Sequence, residues 1–169
     1  EGINVYPFDS EISCMVQGFY AIEAAEMARN GKGPEEIIAR LNEMKKSVRA
    51  YFMADDLSHL QRGGRLSSAQ AIIGSLLQVK PVLHFENKVI VPFEKIRTRK
   101  KAMKRIVDLL EEDAKSGDAY RAAIIHANRE EEAREWKEEL QAQFPNVEFI
   151  ISYFGPVIGT HLGEGSMGL

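Results

Sequence analysis

Short apolar runs alternate with longer amphipathic stretches along almost the whole chain, and that alternation restricts the available folds more than any other feature. Residues 5–8, 50–54, 81–85, 89–91, 122–126 and 147–153 have the length and composition of strands. Between them apolar residues recur at helical spacing. Met15, Phe19, Ile22 and Met27 mark a first helix, which Asn30-Gly31-Lys32-Gly33 stops. Pro34 opens a second with the stripe Ile37, Ile38, Leu41, Met44 and Val48. Ser67 caps a third, striped by Ala69, Ile72, Ile73, Leu76 and Leu77, and Thr98 caps a fourth, striped by Ala102, Met103, Ile106, Leu109 and Leu110. A Glu-rich fifth turns Ala133, Trp136 and Leu140 inward. Strand and helix in turn imply an α/β or layered α+β architecture, a mixed sheet covered by helices.

Local chemistry refines this outline. Ser10 or Ser13 is placed to cap the first helix. Glu86-Asn87-Lys88 joins two strands as a hairpin, and Pro92 ends the second strand or sets it at a sheet edge. Asp55-Asp56, at the end of a strand, most simply caps the helix that follows. Residues 154–169 carry five glycines and a proline, which read as a glycine-rich connection. Within it the Thr160-His161 pair sets a polar tip beside apolar Val157 and Ile158. A ligand with a small polar head and an apolar body suits that pattern.

Composition excludes several classes. With 169 residues the chain is long enough for one domain, or one domain and part of another. A formal net charge of -3 supplies no general field for nucleic acid. No apolar run reaches the roughly 18 residues of a membrane span. The first residues resemble no signal peptide and begin without methionine, so a cytoplasmic fragment or processed chain is expected. Cys14, the single cysteine, excludes an internal disulfide. The histidines His59, His84, His126 and His161 lie far apart and no ligand-like spacing occurs, so no metal site is expected. No Gly-x-Ser-x-Gly elbow or Walker signature is present, and no catalytic residue is assigned.

Two basic features stand out. Arg62-Gly63-Gly64-Arg65 offers backbone amides and two guanidinium groups to an anion, which leaves open a phosphate-ester-binding enzyme or sensor. Residues 95–101 hold five basic side chains where a helix begins. Cations there oppose the helix dipole, which favours an anion or acidic partner.

Taken in order, several of these segments resemble the DegV family of bacterial fatty-acid-binding proteins. They are Val5-Tyr6-Pro7-Phe8-Asp9-Ser10 with Gln17-Gly18, Tyr51-Phe52-Met53-Ala54-Asp55-Asp56-Leu57, and Arg62-Gly63-Gly64-Arg65-Leu66-Ser67. Gly74-Ser75-Leu76-Leu77-Gln78-Val79-Lys80-Pro81-Val82-Leu83, Lys95-Ile96-Arg97-Thr98-Arg99-Lys100-Lys101-Ala102 and Gly155-Pro156-Val157-Ile158-Gly159-Thr160-His161 follow. The resemblance implies two α/β domains holding a long-chain fatty acid between them, and a carrier that performs no chemistry and needs no cofactor. It implies that a separate fatty acid kinase catalytic subunit converts the presented carboxylate to an acyl phosphate. Residues 1–48 then correspond to the final strand and helices of the N-terminal domain, and residues 49–169 to the C-terminal domain. The missing N-terminal segment, which bears the family's Thr and Ser contacts to the carboxylate, becomes a partner of this chain. By the same resemblance His161 and Thr160 meet the carboxylate. Ile158, Val157 and Val16 wall the acyl chain, and Arg97 and Arg65 face the head group or the kinase.

Overall fold

The computed structural model describes residues 2–65, 79–115, 117 and 120–169. These fall into two compact units, Glu1–Arg49 and Ala50–Leu169.

The first unit is a pair of helices, α1 (Cys14–Arg29) and α2 (Pro34–Ser47). Pro34 sits in the first turn of α2, and Glu36 reaches back to the Gly33 amide. Ser13 occupies the N-cap position of α1, but its side chain makes no cap bond. Ser10 also caps nothing, because its hydroxyl donates to the Ile12 carbonyl. The buried residues of α1 are Val16 and Tyr20, whereas Ile22, expected in the apolar stripe, is exposed. Within this unit α1 is covered by α2 and by Phe8, whose ring lies 5.2 Å from that of Tyr20. Residues 5–8, expected as a strand, form none. A strand needs a neighbour to bond with, and the described residues of this unit offer no other strand. Ile3 and Val5 are therefore exposed.

The second unit is built on a six-stranded sheet in the order β3-β2-β1-β6-β4-β5. The strands are β1 (Tyr51–Met53), β2 (Val82–Glu86), β3 (Val89–Glu94), β4 (Tyr120–His126), β5 (Val147–Tyr153) and β6 (Met167–Gly168). Only β4 and β5 run parallel among the paired strands, joined through the crossover helix α5 (Glu130–Gln143). The hairpin β2–β3 turns at Asn87 and Lys88, with φ 49° and 67°. Both signs match the twist-compatible two-residue turn. β3 continues through Pro92, which pairs opposite Leu83. Pairing alternates from the Glu86–Val89 end, so the Pro92 nitrogen faces away from β2 at the sheet edge, where no ladder bond is lost.

Helix α4 (Arg99–Ala114) starts at Thr98, whose hydroxyl accepts from the Lys101 amide at 3.3 Å. Ala102, Ile106 and Leu109 of α4 are buried, as are Ala133, Trp136 and Leu140 of α5. All of these but Leu109 form one core with Met53, Val82 and Phe149. A second core groups Phe52 and Leu83 with Leu57, Leu60 and Leu162. Phe52 and Met53 thus serve opposite faces, as successive strand residues must. The helix expected after Ser67, with its stripe from Ala69 to Leu77, lies outside the described residues.

β5 is not the last strand. The chain beyond it returns to insert β6 between β1 and β4, with Met167 opposite both Met53 and His126. Gly168 leaves room for that insertion, since a Cβ there would lie 3.0 Å from Cβ of Phe52.

Candidate functional site

The glycine-rich tail holds a helix where an irregular connection is expected. Helix α6 (Pro156–Leu162) has Gly155 at its N-cap, Pro156 in its first turn and Gly163 at its end with φ 77°. The glycines thus bracket the helix more than they interrupt it. Ser166 is buried, and its hydroxyl donates to the Leu162 carbonyl at 2.9 Å.

Against α6 packs α3 (Ser58–Arg62). Asp56 caps its start, accepting from the Ser58 amide at 2.8 Å and the Ser58 hydroxyl at 2.6 Å. Those two bonds, the hydroxyl's foremost, hold the Asp56 carboxyl below its usual range. Asp55, the other half of the expected capping pair, does something else. Its carboxylate lies 3.0 Å from Nη1 of Arg99 and 3.5 Å from Nζ of Lys80.

Arg99 links several elements. It pairs with Glu132 of α5 at 2.9 Å and donates to the Gly165 carbonyl at 2.5 Å. The basic run at residues 95–101 is therefore of two kinds. Arg99 faces inward and is neutralised, whereas Lys95, Arg97, Lys100 and Lys101 are exposed. Sequence reasoning missed the Asp55–Arg99–Glu132 network. The available signal was an acidic pair closing one strand and a basic residue opening a later helix, with only the sheet order placing them together.

The Arg62-Gly63-Gly64-Arg65 loop does not offer its amides to an anion. Gly63 N donates to the His59 carbonyl, Gly64 N to Gln61 and Arg65 N to Leu60. With Gly64 at φ 68°, this is a glycine-closed helix end that consumes the donors. Arg65 is exposed and bonds the Gly63 carbonyl, and Arg62 lies 3.3 Å from Nδ1 of His59.

The residues singled out in the tail are placed as follows. Thr160 is exposed, and its hydroxyl donates to the Pro156 carbonyl at 2.7 Å. Val157 is 77% exposed, and Ile158 is half-buried against the core of Phe52 and Leu83. His161 is half-buried, with Nδ1 enclosed and unpartnered. Val16 is buried in α1 of the other unit. Among the described residues no group of His, Cys, Asp or Glu could hold a metal ion, and no helix is long and apolar enough to cross a membrane.

A mixed six-stranded sheet covered by helices, with β6 inserted between β1 and β4, defines a layered α/β domain. The chain belongs to the DegV family, whose model, described as "Uncharacterised protein, DegV family", matches residues 1–169. It is 71% identical over 170 residues to protein DegV of Bacillus subtilis, covering 100% of this chain and 60% of that protein. A DegV domain-containing protein of Listeria innocua is 57% identical over 169 residues, again covering 100% of this chain and 60% of the relative. The crystal structure of DegV, a fatty acid binding protein from Bacillus subtilis, superposes with a TM-score of 0.92 at 72% identity, covering 99% of this chain and 60% of that one. The chain thus spans about 60% of the length of the curated relatives it matches.

Proposed function

We propose that the protein to which this chain belongs binds a long-chain fatty acid between two domains and presents its carboxylate to a fatty acid kinase, doing no chemistry itself. The observation that carries this reading is the likeness, at TM-score 0.92 and 72% identity, to a protein described as fatty acid binding. In this reading His161 donates to the carboxylate through Nε2. Thr160 joins when its hydroxyl turns from the Pro156 carbonyl. Ile158, Val157 and Val16 wall the acyl chain, whose burial stabilises the complex by about 0.8 kcal/mol per methylene. Exposed Arg97 and Arg65 meet the kinase or the transferring phosphate. Residues 1–48 are the end of the N-terminal domain, and the remainder of that domain completes the carboxylate site. The protein works in the cytoplasm and requires no cofactor.

Native mass spectrometry of the gently purified full-length protein tests this. A co-purifying fatty acid supports the reading. A phosphate ester would instead support a phosphate sensor, and an empty protein that also fails to take up palmitate would reject the lipid-carrier role.

A further inference from the structure

Helices α3 and α6 meet through a reciprocal exchange in which each lays a histidine on the glycine that ends the other. A Cβ at residue 63 would lie 2.2 Å from Nδ1 of His161, and one at residue 163 would lie 2.6 Å from Cδ2 of His59. The two glycines are needed for different reasons. Gly163, at φ 77°, has a backbone that favours glycine whatever surrounds it. Gly63 sits at φ -76° and ψ -1°, which any residue adopts. The two nearest atoms to that Cβ position both belong to the His161 ring, and the next, the His59 carbonyl oxygen, lies farther off at 3.2 Å. The missing side chain at 63 is therefore explained chiefly by the imidazole that fills its place.

That imidazole is unusual among the polar side chains. Nδ1 of His161 is the one buried side-chain nitrogen or oxygen among the described residues without a hydrogen-bond partner. A proton there would be an N–H donor with no acceptor, which is costly. A bare lone pair is the better tolerated of the two forms, since orphaned buried donors are rarer than under-satisfied acceptors. Nε2 is not among the buried side-chain atoms that lack a partner. The packing thus distinguishes the two nitrogens: Nδ1 lies unpartnered against the Gly63 backbone, which leaves the proton to Nε2.

We infer that Gly63 is a positioning residue for His161: by admitting Nδ1 against its backbone it orients the ring and keeps the proton on Nε2, so that His161 serves as a neutral donor. The mirrored His59–Gly163 contact holds the two helices in that register. The ligand group opposite Nε2 must then be an acceptor, such as a carboxylate oxygen, and not an ammonium or a hydroxyl hydrogen. This rests on the reading of His161 as the carboxylate contact, but the orientation of the ring can be tested without any ligand.

The test has two arms. In the histidine-15N-labelled full-length protein, ligand-free at about pH 8.5 where imidazoles are neutral, long-range proton–nitrogen correlations should show His161 protonated at Nε2. Gly63→Ala should displace that pattern. A proton on Nδ1 in the parent, or an unmoved pattern in Gly63→Ala, overturns the inference. In the second arm, palmitate binding is measured in a double-mutant cycle. Gly63→Ala should weaken binding about tenfold or more in the parent, as loss of a charge-assisted bond does, and should have no further effect in the His161→Ala background. Equal loss in both backgrounds would overturn the positioning role. The double variant removes the clash, so it should fold and melt with His161→Ala even if Gly63→Ala alone does not fold. If His161→Ala itself binds palmitate normally, the carboxylate reading fails while the nitrogen spectra still decide the role of Gly63.

Discussion

Removing Arg99 should destabilise the second unit by about 2 kcal/mol, far more than removing any other cation of the same basic run. The guanidinium bridges Asp55 at 3.0 Å and Glu132 at 2.9 Å and bonds the Gly165 carbonyl, so it ties the end of β1, helix α5 and the segment before β6 together. Bonds to charged groups contribute about 1.5–3 kcal/mol each when well formed. Two facts reduce the sum here. Arg99, Asp55 and Glu132 remain 25%, 28% and 40% exposed, so solvent screens them. Lys80 stays beside Asp55 at 3.5 Å, so that carboxylate is not orphaned. A net loss of about 2 kcal/mol follows, against roughly 0.5 kcal/mol or less for exposed Arg97→Ala. Arg99→Lys should recover only part, because an ammonium cannot reproduce the planar fork. Urea unfolding of the full-length protein at neutral pH measures all three. Equal midpoints for Arg99→Ala and Arg97→Ala would refute the reasoning.

Trp136→Ala, which empties a buried site in the core shared with Met53 and Phe149, should cost about 3–5 kcal/mol by the same assay. Asp56 is depressed by its Ser58 bonds, so its stabilising effect on α3 is complete above the ordinary carboxylate value of about 3.9 and is lost as pH falls through the lowered folded value. Protection of the α3 amides, relative to an unfolded chain at the same pH, should accordingly fall below that point, and Asp56→Asn should show the lower protection already at neutral pH. Burial raises the Cys14 thiol above its ordinary value, so alkylation by iodoacetamide at about pH 8 should run slower than for free cysteine. Arg97→Ala in the full-length protein should leave palmitate binding intact while lowering acyl-phosphate formation by an added kinase, and raised salt should mimic it.

The parts of the fold that depend on local pattern were legible. The strand over Val147–Tyr153, the Thr98 cap and the inward set Ala133, Trp136 and Leu140 follow from composition, capping chemistry and helical spacing. Pro92 left β3 either an end or an edge position, and the strand, running on to Glu94 at the sheet edge, takes the second. What failed depended on partners distant in sequence. Residues 5–8 have a strand's composition but no strand beside them in their unit. Met167 and Gly168 have too short a pattern to announce a strand, and β6 exists because β1 and β4 flank it. The tail was misread for a different reason. Gly155 and Gly163 occupy the two ends of α6, where glycine is accommodated, yet along the sequence they look like interruptions. At the candidate site His161 was visible as a residue but not as a geometry. Nothing local pairs it with Gly63, about a hundred positions earlier, or pairs Asp55 with Arg99.

The most direct test of a carrier role is palmitate titration of the full-length protein and its His161→Ala variant, with the melting temperature of each empty form measured alongside. Loss of a charge-assisted bond should weaken binding by about 1.5–3 kcal/mol, a factor of ten or more, with the melting temperature little changed. Equal affinity in the two proteins, with a lowered melting temperature in the variant, would make His161 a packing residue and contradict the account.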